Sequence, residues 1–275
     1  MSTETGTSTT PSTIETSANH GSLAERVRTM QSVWILGVLL VIVAVFGVMS
    51  PSTFLTTGNL TNIAQNVSIW AVLAVGMTFV IITSGIDLSV GSVLVVSSVV
   101  AAKVMESMGD NGWTTALVGL VLAVVVGVFW GSLNGFLVAK AKVPPLIVTL
   151  GTLSVALGVA QIATGGLDIR SAPQVLQDNI GYGRLAGIPT ISIIALVIVI
   201  IGGIMLHRTR FGQYTYAIGS NETSARRVRI NVDRKLVQIY ALSGFLAGIA
   251  GILSLAQYGT TTIAARSSQS PTSPG

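Results

Sequence analysis

The sequence predicts an all-α fold, a polytopic transmembrane helical bundle of about seven spans with its N-terminus in the cytoplasm. Composition, a series of apolar runs and the placement of the basic residues carry that prediction. Of the 275 residues, 50% are hydrophobic and only 9% charged, with 30 glycines and no cysteine, and the mean hydropathy is +0.75. Soluble domains carry about 25% charged residues, so a globule of this size would lack the polar surface to stay in solution. A cytosolic enzyme, a disulfide scaffold and a wholly disordered chain are thereby excluded.

Along the chain, residues 1–30 differ from the rest. Twelve of the first 22 residues are Ser or Thr, and the first basic residue is Arg26. Such a segment has too little apolar surface to offset its ordering entropy, and it lacks the basic opening of a secretory signal. It reads as a disordered cytoplasmic tail. A transmembrane domain over 31–262 follows. Its apolar runs fall at about 33–49, 67–83, 88–105, 114–138, 145–163, 190–206 and 236–258, each close to the roughly 17–25 residues that a spanning helix needs. Pro51, the Pro144–Pro145 pair and Pro189 stand at run ends, where a missing amide hydrogen does least harm. Only Ser84-Gly85-Ile86-Asp87 separates the second run from the third, so that pair reads either as two spans or as one span and a re-entrant piece.

Seven crossings can be tested against charge. With residues 1–32 cytoplasmic, that side holds Arg26, Arg28, Lys140, Lys142, Arg208, Arg210, Arg226, Arg227, Arg229, Arg234 and Lys235. The other side holds Lys103, Arg170, Arg184 and Arg266. Eleven against four is a positive-inside bias. Small residues repeat every four positions at Gly127, Gly131 and Gly135, and again at Ser243, Ala247 and Gly251 beside Gly244 and Gly248. That spacing lets helix backbones approach closely in lipid. Bundle packing explains it, and a gating role is the alternative.

Candidate chemistry is sparse. Asp87 is the one acid within the apolar region, with no basic residue deep in any span, and a charge at the bilayer centre costs about 3 kcal/mol or more. It is expected near an interface, its carboxylate capping the third run through the amides of Ser89 or Val90; a substrate or gating contact is the other reading. No His-Glu-x-x-His, Gly-x-Ser-x-Gly, Cys ligand or Gly-Lys dipeptide occurs, so no catalytic residue and no metal site is predicted, and any ATPase must be a separate chain. Seven of the fifteen basic residues lie in 207–235, HRTRFGQYTYAIGSNETSARRVRINVDRK. There Gly219 and Ser220 break the chain, Asn221 suits an N-cap, Glu222 the first turn, and Arg226, Arg227 and Arg229 the last. This describes either a short interfacial helix that docks in a partner's groove or a loop that only enforces topology.

The chain resembles the membrane-spanning permeases of ATP-binding-cassette importers, in their ribose/xylose/galactoside (monosaccharide) branch. The resemblance rests on Ile81-Ile82-Thr83-Ser84-Gly85-Ile86-Asp87-Leu88-Ser89-Val90-Gly91-Ser92, on Asn134-Gly135 with Val143-Pro144-Pro145-Leu146-Ile147-Val148-Thr149-Leu150-Gly151, and on Thr209-Arg210-Phe211-Gly212, Ala217-Ile218-Gly219-Ser220-Asn221 and Ala225-Arg226. It continues through Ser243-Gly244 and Ala247-Gly248-Ile249-Ala250-Gly251, covering about residues 33–260. By this resemblance Gly219, Asn221, Ala225 and Arg226 belong to a loop that couples to an ATP-binding subunit. Gly85, Asp87, Ser89 and Gly91 form a signature and candidate gate. Asn134 and Gln161 are candidates for lining a path, and Asp168, Arg170, Asp178 and Arg184 in loop 164–189 for contacting an extracytoplasmic sugar-binding protein. The implied partners are these two proteins, a second permease copy in a homodimer, and lipid, with no nucleic acid. No cofactor is expected on this chain; ATP and Mg would sit on the partner subunit.

The family's loop usually has glycine where this chain has Arg229, and glycine there would permit a left-handed turn. The family continues with further spans after the seventh run, whereas 263–275 is low-complexity and polar, so the chain is expected to be C-terminally truncated, short of two or three helices. Transport in the inner membrane by alternating access, without covalent chemistry, is what the resemblance implies. A transport-incompetent fragment and a self-sufficient carrier or channel are the alternatives.

Overall fold

The computed structural model describes residues 31–261; the expected tails 1–30 and 263–275 lie outside the described residues. The chain divides into two compact units at Thr56/Thr57. In the first, α1 (Gln31–Met49) and the single turn α2 (Pro51–Phe54) are joined at Ser50, whose amide closes on the Phe46 carbonyl, and the rings of Phe46 and Phe54 stack with centroids 5.9 Å apart. From Trp34 to Met49, large apolar side chains are exposed all round α1, the pattern of a helix meant for lipid.

The second unit contains α3 (Thr57–Ile82), α4 (Val90–Met108), α5 (Trp113–Ala139) and α6 (Pro145–Thr164). A connection follows with α7 (Gln174–Leu176), a π-helical turn at Gln177–Gly181, and the strands β1 (Arg184–Leu185) and β2 (Ile188–Pro189) paired antiparallel. Then come α8 (Thr190–Arg208), α9 (Arg210–Ser220), α10 (Glu222–Arg227) and α11 (Val232–Tyr258). Among the described residues six helices, α3, α4, α5, α6, α8 and α11, are long and apolar enough to cross a membrane, and Trp34–Met49 is a shorter apolar helix. The seven expected runs are therefore all helical. Left-handed glycines at Gly109, Gly165 and Gly259 end α4, α6 and α11, and prolines open α6 and precede α8.

One expected boundary is corrected, and one open alternative is resolved. Helix α3 starts ten residues before the expected 67, because its polar opening satisfies itself: Thr61 donates to the Thr57 carbonyl (2.8 Å) and Asn66 to the Asn62 carbonyl (2.9 Å). Residues 83–89 form a turn between two full-length helices, so the second and third runs are two spans rather than one span and a re-entrant piece.

The connections gather at two ends of this unit. At one lie 83–89, 140–144 and the α9–α10 pair, tied by contacts from Gly219 to Ile82 and from Lys142 and Arg226 to Asp233. At the other, Val175 N–H reaches the Asn111 carbonyl, Gln65 the Gly181 carbonyl, and Ile169 N–H the Thr261 hydroxyl. Described basic residues follow the same division: Lys140, Lys142, Arg208, Arg210, Arg226, Arg227, Arg229, Arg234 and Lys235 at the first end, Lys103, Arg170 and Arg184 at the second.

Helix α11 is the most deeply buried of the six and packs on α5, α3 and α4. The first small-residue stripe of the sequence packs on α11, whereas Ser243 and Gly251 of the second face other helices. Gly127, Gly131 and Gly135 face Gly244, Tyr240 and Val237; Ser243 instead packs on Gly76 of α3, and Gly251 on Leu94 and Ser98 of α4. The α5–α11 crossing is backbone against backbone, with a Cβ at Gly127 colliding with the Gly244 carbonyl. Gly127→Ala is therefore expected to cost about 1–3 kcal/mol by overpacking. Gly203→Ala, where a Cβ meets nothing within 4 Å, should leave the melting temperature in lipid nanodiscs unchanged or slightly raised; equal melting of the two variants would contradict this register of α5 against α11.

Candidate functional site

The arginine-rich end holds a buried polar junction. Helix α3 terminates with Ser84 in the left-handed region (φ 59°) and the Gly85 amide closing on the Val80 carbonyl at 3.0 Å, a Schellman-type cap on a residue that favours it less than glycine does. Gly85 follows because a Cβ there would lie 2.8 Å from the Tyr240 hydroxyl and 3.0 Å from Val80. The chain then turns Asp87 inward, 3% exposed.

Its carboxylate is held by hydrogen bonds. Oδ1 accepts from the Ser89 amide (3.0 Å) and the Ser89 hydroxyl (2.6 Å), and Oδ2 from the Ser243 hydroxyl (3.0 Å). Ser89 in turn accepts from Asn134 Nδ2 at 2.8 Å, and Ser92 donates to the Ser89 carbonyl at 2.7 Å. Thr149 donates to the Ile86 carbonyl (3.3 Å) as well as to Pro145 (3.0 Å). The 83–89 turn is thereby tied to α11 through Ser243, to α5 through Asn134 and to α6 through Thr149. Among the described residues no cation pairs with Asp87. The carboxylate binds the Ser89 amide as expected, yet it caps the turn rather than the helix, whose N-cap is Ser89 itself. Asn134 Oδ1 and the Tyr240 hydroxyl are buried at this junction without partners.

The α9–α10 pair stands on this junction. Gly219 lies inside α9 rather than breaking it, and the chain turns at Asn221. A Cβ at Gly219 would collide with the Ile82 carbonyl at the end of α3, so the two backbones touch directly above the Asp87 turn. Asn221 caps α10 by accepting from the Ser224 amide at 2.9 Å. Ala225 is buried with Ile218 and Val232. Arg226 bridges Glu222 (2.8 Å) and Asp233, which hold its guanidinium above its ordinary pKa. Asp233 also takes Lys142 at 3.1 Å and Lys140 at 4.0 Å. Exposed pairs of this kind contribute little individually, about 0–1 kcal/mol; their value is geometric, fixing 140–142, α10 and the start of α11 together. Thr83, Ser84, Lys142, Glu222 and Tyr240 line a cavity of about 330 Å³ between the turn and these helices. Beyond α10, Arg229 takes the left-handed conformation (φ 61°), where the sequence already pointed to a turn that glycine would favour.

The remaining candidates lie apart. Gly91 is exposed at the start of α4, Asn134 is 0% exposed within the junction, and Gln161 is exposed near the end of α6. Asp168, Arg170, Asp178 and Arg184 are exposed at the opposite end. Sequence reasoning missed the Lys142–Asp233 and Tyr240–Gly85 contacts, which join residues over 90 positions apart. It also missed α9, whose sequence is too polar to register as an apolar run.

The residues at 59–270 match the family model described as branched-chain amino acid transport system / permease component. The ribose import permease protein of Escherichia coli strain K12 is 39% identical over 222 residues, covering 80% of this chain and 67% of the relative. The D-allose transport system permease protein of the same strain is 35% identical over 224 residues, covering 81% and 67%. The fructose import permease protein of Rhizobium meliloti is 32% identical over 233 residues, covering 82% and 63%. The matched segment thus spans about two thirds of these relatives. No solved structure matches the chain.

Removing Ser243 Oγ takes away one of three hydrogen bonds to a buried carboxylate, so Ser243→Ala is expected to cost about 1.5–3 kcal/mol. In a double-mutant cycle with Asp87→Asn, read by thermal melting, the two effects should be non-additive, as for groups in direct contact; additivity would mean that the bond carries nothing. Arg229→Gly should gain about 0.5–1 kcal/mol by relieving the left-handed arginine, and a lower melting temperature would contradict that strain.

Proposed function

The chain belongs to the branched-chain amino acid transport system / permease component family, and from that membership, with relatives named as ribose, allose and fructose import permeases, we propose that it is the permease subunit of an ATP-binding-cassette importer for a monosaccharide. It is a multi-pass membrane protein, not an enzyme, and hydrolysis of ATP is assigned to a separate subunit. On this reading the arginine-rich end is cytoplasmic, as positive-inside counting requires, and the hairpin end receives the sugar from an extracytoplasmic binding protein. A second copy of the chain completes the path.

One observation carries the mechanical part of the reading. The exposed α9–α10 pair presents Asn221, Glu222 and Arg226 outward while its inner side, at Gly219, rests on the last carbonyl of α3. Motion of a docked ATPase would therefore be passed to the Asp87 turn, and from there through Ser243, Asn134 and Thr149 to α11, α5 and α6. Such a rigid, contiguous element is what alternating access needs to convert a cytoplasmic event into rearrangement of helices. Gly219 and Ala225 shape the lever; Asn221 and Arg226 are its contact surface.

Two measurements test this. Replacing Asn221 and Arg226 together with alanine should abolish co-purification of the ATP-binding subunit and reduce uptake of labelled D-ribose at least about tenfold, the loss of roughly 1.4 kcal/mol of interface, while leaving the protein in the membrane. Undiminished uptake in cells lacking every partner ATPase would contradict the importer reading and favour a self-sufficient carrier.

A further inference from the structure

At the end opposite the arginines, a cavity of about 370 Å³ opens between the start of α3, the hairpin and the end of α11, within the roughly 300–1,000 Å³ of small-ligand pockets. Asn62, Gln65, Asn66, Arg184, Gln257 and Tyr258 line it. Its walls are fixed. Buried Gln65 donates through Nε2 to the Gly181 carbonyl at 2.7 Å, and Gly181 presses so closely on the Ala256 carbonyl that no Cβ fits. The Tyr258 hydroxyl donates to Asn66 Oδ1, whose Nδ2 donates to the Asn62 carbonyl. Within this satisfied frame, Gln257 Oε1 is buried and has no hydrogen-bond partner.

We propose that this cavity binds a neutral polyhydroxyl molecule, a sugar in class, whose hydroxyls meet the carboxamides of Asn62 and Gln257 that line it. The class rests on the permease reading above; the site rests on its own geometry. No carboxylate lines the cavity, so nothing in it attracts a cation. Its four carboxamides supply both donors and acceptors, matching hydroxyl groups that do both. Tyr182 and Tyr258, both partly exposed at the cavity, offer apolar ring faces to the carbon side of such a ligand. The one charge, Arg184, sits on the exposed hairpin. A second cavity of about 250 Å³, lined by Leu73 and Leu94 among others, lies between α3, α4 and α11 and shares Asn66 and Tyr258 with the first.

The test uses the full chain in lipid nanodiscs, without partners, and saturation-transfer NMR with D-ribose as probe. D-ribose should bind the native chain, and Gln257→Leu should weaken binding about tenfold, the loss of one desolvated hydrogen bond. Asn62→Leu, at an exposed position, should weaken it without lowering the melting temperature, which keeps the test valid if Gln257→Leu folds poorly. Arg184→Gln should bind D-ribose normally. The site is overturned if D-ribose does not bind, if both leucine variants bind as the native chain does, or if sodium phosphate displaces D-ribose in an Arg184-dependent manner. ATPase-dependent uptake in cells that is insensitive to Gln257→Leu would overturn this site and leave the importer reading standing.

Discussion

The structure depends on holding the buried Asp87 carboxyl group, with which no cation pairs among the described residues. An ion buried without compensation would cost many kcal/mol, and here the compensation is three hydrogen bonds from two serines, Ser89 on the same turn and Ser243 on α11. Inside a low-dielectric bundle hydrogen bonds are stronger than at the surface. They also have direction, so Asp87 can be satisfied only while the 83–89 turn, α11 and, through Asn134, α5 keep their positions. The glycine crossing of α5 and α11 brings Asn134 and Ser243 to one point; with side chains at Gly127 or Gly131 the helices would separate and the network would open.

Residues far apart in the chain become mechanically adjacent for the same reason. Gly219 touches the Ile82 carbonyl with no side-chain atom between them, so α9 and α10 press on the turn through backbone alone. Bulk at that contact would be transmitted, whereas a flexible side chain would absorb it. Asp233 provides the second tie, gathering Lys140, Lys142 and Arg226 at the foot of α11. Three non-glycine residues in the left-handed region, Ser84, Lys142 and Arg229, lie around this end, strain that the surrounding contacts hold in place.

Much of this was legible in the residues themselves. Apolar runs located the helices because a span must satisfy its backbone internally. Asn221 announced the α10 cap; at 229 the resembled family usually has glycine, and the left-handed turn that glycine would permit is present even with arginine there. What stayed hidden was of two kinds. Polar helix ends such as Thr57–Asn66 and Arg210–Ser220 carry no hydropathy signal, although their amides line a cavity in the first case and their glycines seat a helix in the second. Pairings across the bundle, Asn134 with Ser89, Ser243 with Asp87 and Gly127 with Gly244, depend on helix rotation, which a four-residue spacing leaves ambiguous.

Action of the α9–α10 pair on the bundle, through the Gly219–Ile82 contact and the Asp87 turn, is tested most directly by hydrogen exchange on the chain in nanodiscs, comparing the native protein with Gly219→Val. If the contact transmits displacement, amides of 83–92 and around Ser243 lose protection together with those of 210–227. Loss of protection confined to 210–227, with the Asp87 turn as protected as in the native chain, would contradict it.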